Sequence, residues 1–258
     1  MLQVFLALIT SAVMAYQQPL IIGGDSVQVS DLAAYSTVAL KALSASGQKV
    51  QSFCSGTLIS KNLILTAAHC VDGAKVEKVA ISFTTEETTV YNPAMMRKVK
   101  AIKANPKFDQ PAGKNDIALI VIEDVAPSIA KPIEILEPEY NLVVGQKMLL
   151  AGFGVTDDTI SAEPTSLQQV RVKLAKILDT ILVTNQTEGG GACNGDSGGP
   201  AYLEKNNQLY VYGITRGPHE GANDCHHYGE YTYASKFKEF ILATALELNA
   251  ESPTFVNP

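Results

Sequence analysis

Cys193-Asn194-Gly195-Asp196-Ser197-Gly198-Gly199-Pro200 sets one serine in a run of glycines and ends on a proline. Glycine reaches backbone conformations closed to other residues, so the chain can turn tightly here and present amide N–H groups beside the Ser197 hydroxyl. Gly195, Ser197 and Gly199 also match the Gly-x-Ser-x-Gly spacing of an elbow in which a strand turns sharply into a helix. The partners of such an elbow follow in the order Ser, Asp, His, and Asp224 with His226 or His227 stands in that order. Pro200 and the β-type residues behind it leave no helix for an elbow, because proline cannot donate a backbone hydrogen bond. The serine therefore reads as part of a loop in a β protein, with its partners upstream.

Two upstream segments supply them: Leu65-Thr66-Ala67-Ala68-His69-Cys70 and Asn115-Asp116-Ile117-Ala118-Leu119. A serine hydroxyl is a poor nucleophile until a base takes its proton, and imidazole titrates in the right range to do so. His69 is the candidate base. A carboxylate must hold the ring in one tautomer and stabilise the imidazolium that develops, and Asp116 is the candidate for that role. The Gly195 and Ser197 amides are the candidate donors to the oxyanion of a carbonyl under attack.

Short β-type runs recur outward from these segments: Phe53–Ile59, Leu63–Thr66, Lys78–Phe83, Ile117–Ile122, Lys147–Ala151, Leu167–Leu174 and Leu209–Ile214. This rhythm predicts a barrel or sandwich rather than βαβ units. Asn206-Asn207 reads as a hairpin turn. After Ser235, a good N-cap, Phe237, Phe240, Ile241, Ala245 and Leu248 fall at helical spacing and predict a C-terminal helix, with a loose tail over 251–258. Pro127, Pro132 and Pro138 mark a connector near residues 125–140 between two halves, with a cleft where the halves meet. Hydrophobic residues make up 46% and charged residues 18%, enough apolar material for a core and too little charge for disorder. The net charge of -6 and the scattered basic residues argue against nucleic acid as a partner.

Residues 1–15, MLQVFLALITSAVMA, form an apolar run ending on small residues. It reads as a secretory signal peptide too short to span a bilayer comfortably, although it lacks a Lys or Arg ahead of the apolar stretch. No later run is long and apolar enough to cross a membrane. Four cysteines, an even number, suit an oxidising compartment and up to two disulfides. Four free thiols are the plain alternative. A zinc site from Cys225, His226, His227 and His219 lacks the paired short spacing of structural zinc motifs. Glu86-Glu87 offers too few oxygens to specify calcium, so no metal or other cofactor is expected. Asn185-Gln186-Thr187 is a glycan acceptor only in a eukaryotic host and if exposed.

From Ile21 to the C-terminal helix the chain resembles the chymotrypsin-like (trypsin-family) serine peptidases, on the TAAHC, NDIAL and GDSGGP segments in that order. The resemblance implies an all-β fold of two six-stranded antiparallel barrels with the active site between them, plus a C-terminal helix. It implies a peptidase domain over 21–258, with an N-terminal barrel over about 21–130 and a C-terminal barrel and helix over about 131–250. Cys54 pairs with Cys70 and Cys193 with Cys225 on this reading. Ile21-Ile22-Gly23-Gly24 looks like the mature amino terminus, whose freed amine would pair with Asp196, leaving residues 16–20 as a short pro-segment. Residue 20 is leucine rather than the basic residue usual in such zymogens, so an activator preferring apolar residues, this enzyme itself being one candidate, would make the cut.

The same resemblance puts Gly191, with Ala192, at the base of the substrate pocket and Gly217 and Gly229 in its walls. An uncharged slot gains energy by burying apolar side chains, about 25 cal/mol per Å². Phe, Tyr, Leu or Met before the cut bond is the expectation. Trypsin-like preference through Glu230 is the rival, although strand alternation turns Glu230 away if Gly229 faces in. Thr215 replaces a serine that touches the triad aspartate. Arg216 replaces a tryptophan beside the substrate strand, and either favours acidic residues further from the cut or is a solvated side chain. Partners would be protein or peptide substrates and protein inhibitors of a secreted monomer. The other reading within the fold is a catalytically silent binding protein.

Overall fold

The computed structural model describes residues 21–155, 165–219 and 224–258. The expected leader over 1–15 and pro-segment over 16–20 lie outside the described residues.

After a short strand β1 (Asp25–Ser26), six strands form the first barrel. They are β2 (Thr37–Leu43), β3 (Val50–Ser60), β4 (Leu63–Thr66), β5 (Val79–Ser82), β6 (Met96–Ala104) and β7 (Ala118–Ile122), closed in the order β2-β3-β4-β7-β6-β5. The connector carries β8 (Ile135–Leu136). The second barrel holds β9 (Lys147–Gly152), β10 (Gln168–Ile177), β11 (Ile181–Asn185), β12 (Pro200–Lys205), β13 (Gln208–Pro218) and β14 (Tyr228–Tyr233). It runs β12-β9-β10-β11-β14-β13 and closes through the β12–β13 hairpin. All pairings within the two barrels are antiparallel, as expected for this fold. Closure leaves neither barrel with a long open edge. β1 pairs with β10, so the N-terminal segment lies on the second barrel.

β4 and β7 are buried along their whole length because both faces are covered. Ile64, Ala118, Ile120 and Ile122 fill the first barrel. Leu63, Leu65, Leu119 and Val121 point the other way and pack with Leu149, Tyr202 and Ile214 of the second barrel. Ile241 and Ala245 of the C-terminal helix α2 (Lys238–Glu247) join that cluster. The Tyr202 hydroxyl lies 2.8 Å from Ser36 Oγ and 3.0 Å from Thr37 Oγ1, pinning the barrels together. Burial pushes its pKa up to about 12.

Asn206 and Asn207 both take positive φ, 53° and 58°, at the tip of the β12–β13 hairpin, the geometry of a two-residue turn that matches strand twist. Two expectations need correction. Ser235 does not cap α2: it sits inside a 3-10 turn over Ala234–Phe237, and its buried hydroxyl has no hydrogen-bond partner among the described residues. The tail is not loose, because β15 (Phe255–Val256) pairs in parallel with β8, which in turn pairs with β13, and Lys205 Nζ donates to Pro258 O at 2.6 Å. Glu87 is occupied by Lys41 Nζ and by Ser52 Oγ at 2.5 Å, so an internal ammonium, buried on β2, anchors this loop.

Disulfides join Cys54 to Cys70 and Cys193 to Cys225, sixteen and thirty-two residues apart. The first ties the short helix α1 (Ala68–Val71), which carries His69, to β3. Closing loops of this size constrains the unfolded chain by about 3 kcal/mol each. Replacing Cys193 and Cys225 by alanine is expected to lower stability by about 2–4 kcal/mol, read as a lower denaturant midpoint, with a steeper slope because the unfolded chain is freed to expand.

Candidate active site

β4 and β7 pair so that Thr66 faces Ala118, which puts the end of β4 and the start of β7 side by side. His69 follows three residues after Thr66 and Asp116 comes two before Ala118, so the two side chains meet at one rim of the barrel. His69 Nδ1 lies 2.7 Å from Asp116 Oδ2, and the His69 backbone N–H donates to Asp116 Oδ1 at 2.9 Å. Asp116 is buried and His69 exposed, and Thr232 Oγ1 donates to the Asp116 carbonyl at 2.8 Å. A carboxylate gripping Nδ1 leaves Nε2 as the ring nitrogen facing the cleft.

Ser197 reaches this spot from the other barrel. The Ser55 N–H on β3 donates to Ser197 O at 2.8 Å. Cys70 Sγ lies 3.6 Å from Ser197 O and 3.7 Å from His69 Nε2, so the imidazole and the serine are neighbours. Ser197 Oγ makes no hydrogen bond to Nε2 among the described residues. Catalytic hydrogen bonds commonly tighten only around substrate.

The glycines around Ser197 are needed as glycines. Gly195 and Gly198 have φ of 95° and 79°, and a methyl group on Gly198 would stand 2.1 Å from Thr66 Oγ1. In this loop the N–H groups of Asp196, Gly198 and Gly199 donate to Cys193 O, Thr215 O and Asp196 O. Those of Gly195 and Ser197 donate to no acceptor among the described residues. Two unspent backbone donors flanking a serine are what a developing oxyanion requires.

Asp196 is 1% exposed, with Gly154 N–H donating to Oδ1 at 2.8 Å and Cys193 N–H to Oδ2 at 2.9 Å. No cation among the described residues pairs with it, and burial pushes its pKa up from 3.8 to about 7. Nearby, Ile21 is fully buried and Ile22 bridges to Gly191, whose N–H donates to Ile22 O at 2.9 Å.

A cavity of about 100 Å³ opens beside Ser197, walled by Ala192, Thr215, Gly217 and Gly229. Gly191, expected at its base, does not line it. Gln186, which sequence reasoning missed, lies in front: a methyl on Gly191 would come within 2.2 Å of Gln186 Cδ, and one on Gly229 within 2.6 Å of Oε1. The buried carboxamide is saturated. Oε1 accepts from Ala192 N–H at 3.1 Å and Tyr231 OH at 3.3 Å, while Nε2 donates to Cys225 O at 2.8 Å and Ala192 O at 3.3 Å. None of the described lining residues is acidic. Glu230 lines a neighbouring cavity instead, where Arg216 Nη1 donates to it at 2.6 Å and His219 Nδ1 lies 2.5 Å away. Thr215 holds the Ser197 loop through its backbone, accepting from Gly198 N–H and donating to Gly199 O.

With this geometry in view, a family model described as Trypsin matches residues 21–241. "Trypsin Blo t 3" of Blomia tropicalis is 30% identical over 172 residues, 59% of this chain and 64% of that protein. "Trypsin Tyr p 3.0101" of Tyrophagus putrescentiae is 29% identical over 225 residues, 80% of this chain and 74% of its own. "Hepatocyte growth factor activator serine proteases" of Canis lupus familiaris is 26% identical over 215 residues, 74% of this chain and 32% of that longer protein.

Proposed function

The chain belongs to the trypsin family of chymotrypsin-like serine peptidases, and from that premise we propose that it is a secreted serine endopeptidase working through His69, Asp116 and Ser197. The observation that carries this reading is the 2.7 Å contact of His69 Nδ1 with the buried Asp116, beside a serine flanked by two unspent amide donors. In the reaction Ser197 Oγ attacks the peptide carbonyl carbon as His69 Nε2 takes its proton. The carbonyl oxygen, now carrying the negative charge, accepts from the Gly195 and Ser197 amides. The imidazolium passes its proton to the departing amine nitrogen as the C–N bond breaks. Water, deprotonated by His69, then splits the acyl ester by the same steps in reverse.

The substrate strand has a natural seat. Thr215 is bonded to the Ser197 loop, and beyond it β13 pairs, among the described residues, only with β14, leaving the Arg216–Pro218 edge beside the cleft. The side chain before the cut bond enters the cavity floored by Gln186. Each donor and each acceptor site of that carboxamide is already in use, so the floor offers a polar side chain nothing to bond. This supports an apolar preference and argues against the trypsin-like rival, since Glu230 is held outside the cavity by Arg216 and His219.

Cleavage-site profiling of the matured protein on a mixed peptide library tests the reading, with cuts expected after Phe, Tyr, Leu or Met. Gln186→Glu sets a carboxylate between Gly191 and Gly229 and is expected to raise cutting after Lys or Arg by about tenfold or more, the scale of a charge-assisted contact. Predominant cutting after Lys or Arg by the unaltered protein would refute the pocket assignment and leave the mechanism standing.

A further inference from the structure

We infer that Arg216 is a specificity-determining residue that favours an acidic side chain in the second residue before the cut bond, with Glu230 holding its guanidinium ready. The inference rests on the peptidase reading and adds a second recognition element to it. β13 carries one extra residue at this point: Thr215 opposes Tyr231 and Gly217 opposes Glu230, which leaves Arg216 as a bulge. Bulges re-aim side chains, and this one sends Arg216 across the cleft. Its Nη1 meets Glu230, and its Nε stands 3.8 Å from Asp116 Oδ2. Its fork lies against the opposite loop, where a methyl on Gly113 would come within 1.9 Å of Nη2. The side chain is 13% exposed, so it is not the solvated arginine that a surface position would give.

This guanidinium is under-used. Among the described residues Nη1 is its one hydrogen-bonded nitrogen, and the buried Nε, though within ion-pair reach of Asp116, makes no hydrogen bond. His219 on the far oxygen of Glu230 fixes the carboxylate that holds it. A planar guanidinium with spare donors in a cleft matches a carboxylate better than any other side chain.

The cavity it faces, about 300 Å³, is lined by His69, Phe108, Gln110, Gly113 and the carboxylates of Asp116 and Glu230, and shares Arg216, Gly217 and Pro218 with the cavity beside Ser197. Successive side chains of an extended peptide point to opposite sides. When one residue fills the cavity beside Ser197, the residue before it therefore turns toward His69 and Arg216.

The test uses the matured protein and three peptides that differ only in Glu, Gln or Lys at that second position. The kcat/KM for Glu is expected to exceed that for Gln by about tenfold, with Lys poorest. Arg216→Gln should bring the Glu-to-Gln ratio to about one. A ratio of one or less in the unaltered protein, an unchanged ratio in Arg216→Gln, or an acidic preference centred elsewhere on the peptide would overturn the inference alone. Failure to cut any peptide, with Ser197 inert to a fluorophosphonate, would overturn the peptidase reading and this inference with it.

Discussion

Ser197→Ala is expected to lower peptide turnover by about 10⁴- to 10⁶-fold while leaving the fold intact, because on the proposed mechanism it removes the one atom that bonds to the carbonyl carbon. The side chain is a single hydroxyl on a loop held by its backbone, through Ser55 N–H to Ser197 O and Gly198 N–H to Thr215 O, and these bonds survive the change. His69→Ala is expected to cost about as much, and the double variant little more than either single one, since groups acting as a unit are not additive. The check is single-turnover hydrolysis of an apolar peptide by each variant, beside thermal unfolding showing that all remain folded.

The second large effect concerns Asp196 and is a matter of pH as well as activity. An acid whose pKa is raised in the folded state, here from 3.8 to about 7, holds its proton more tightly folded than unfolded. Its favourable contribution is fully present below pH 3.8 and is lost as pH rises to about 7, amounting to about 4 kcal/mol. A chain not yet cut before Ile21 should therefore lose stability over that range. Cutting frees the Ile21 amine, and on the proposed activation this cation pairs with Asp196, so the carboxylate ionises without that loss and the slope flattens. Asp196→Asn should flatten the slope of the uncut chain too, and should cost the cut enzyme about 10²- to 10³-fold in kcat/KM, the scale of a broken buried ion pair. Denaturant midpoints between pH 4 and 8 for cut, uncut and Asp196→Asn proteins read this out. An uncut chain with no such slope would contradict it.

Much of the fold was legible because its decisive features are local. The short runs of β4 and β7, apolar but for Thr66, suit strands covered on both faces, and their pairing carries His69 and Asp116 to one rim. Asn206-Asn207 likewise declares its hairpin through the positive φ that asparagine tolerates. What stayed hidden depends on distant neighbours. Gln186 sits in a polar stretch that reads as a surface glycan acceptor, and only the approach of Gly191 and Gly229 makes it the pocket floor. Those glycines signal that space is left for something, without saying for which side chain. The bulge that aims Arg216 at Glu230 is a mismatch in register between two strands, invisible in either alone. The tail over 251–258 is short and polar, and it is ordered by β8 and Lys205, more than fifty residues away in sequence or further.

The central claim is that His69 activates Ser197. The most direct measurement is the rate at which a fluorophosphonate labels the matured protein, with the modified peptide located by mass spectrometry. Rapid labelling confined to Ser197, falling by several orders of magnitude in His69→Ala, is the predicted result. An unlabelled Ser197 in protein correctly cut before Ile21, or equal labelling without the imidazole, would contradict it.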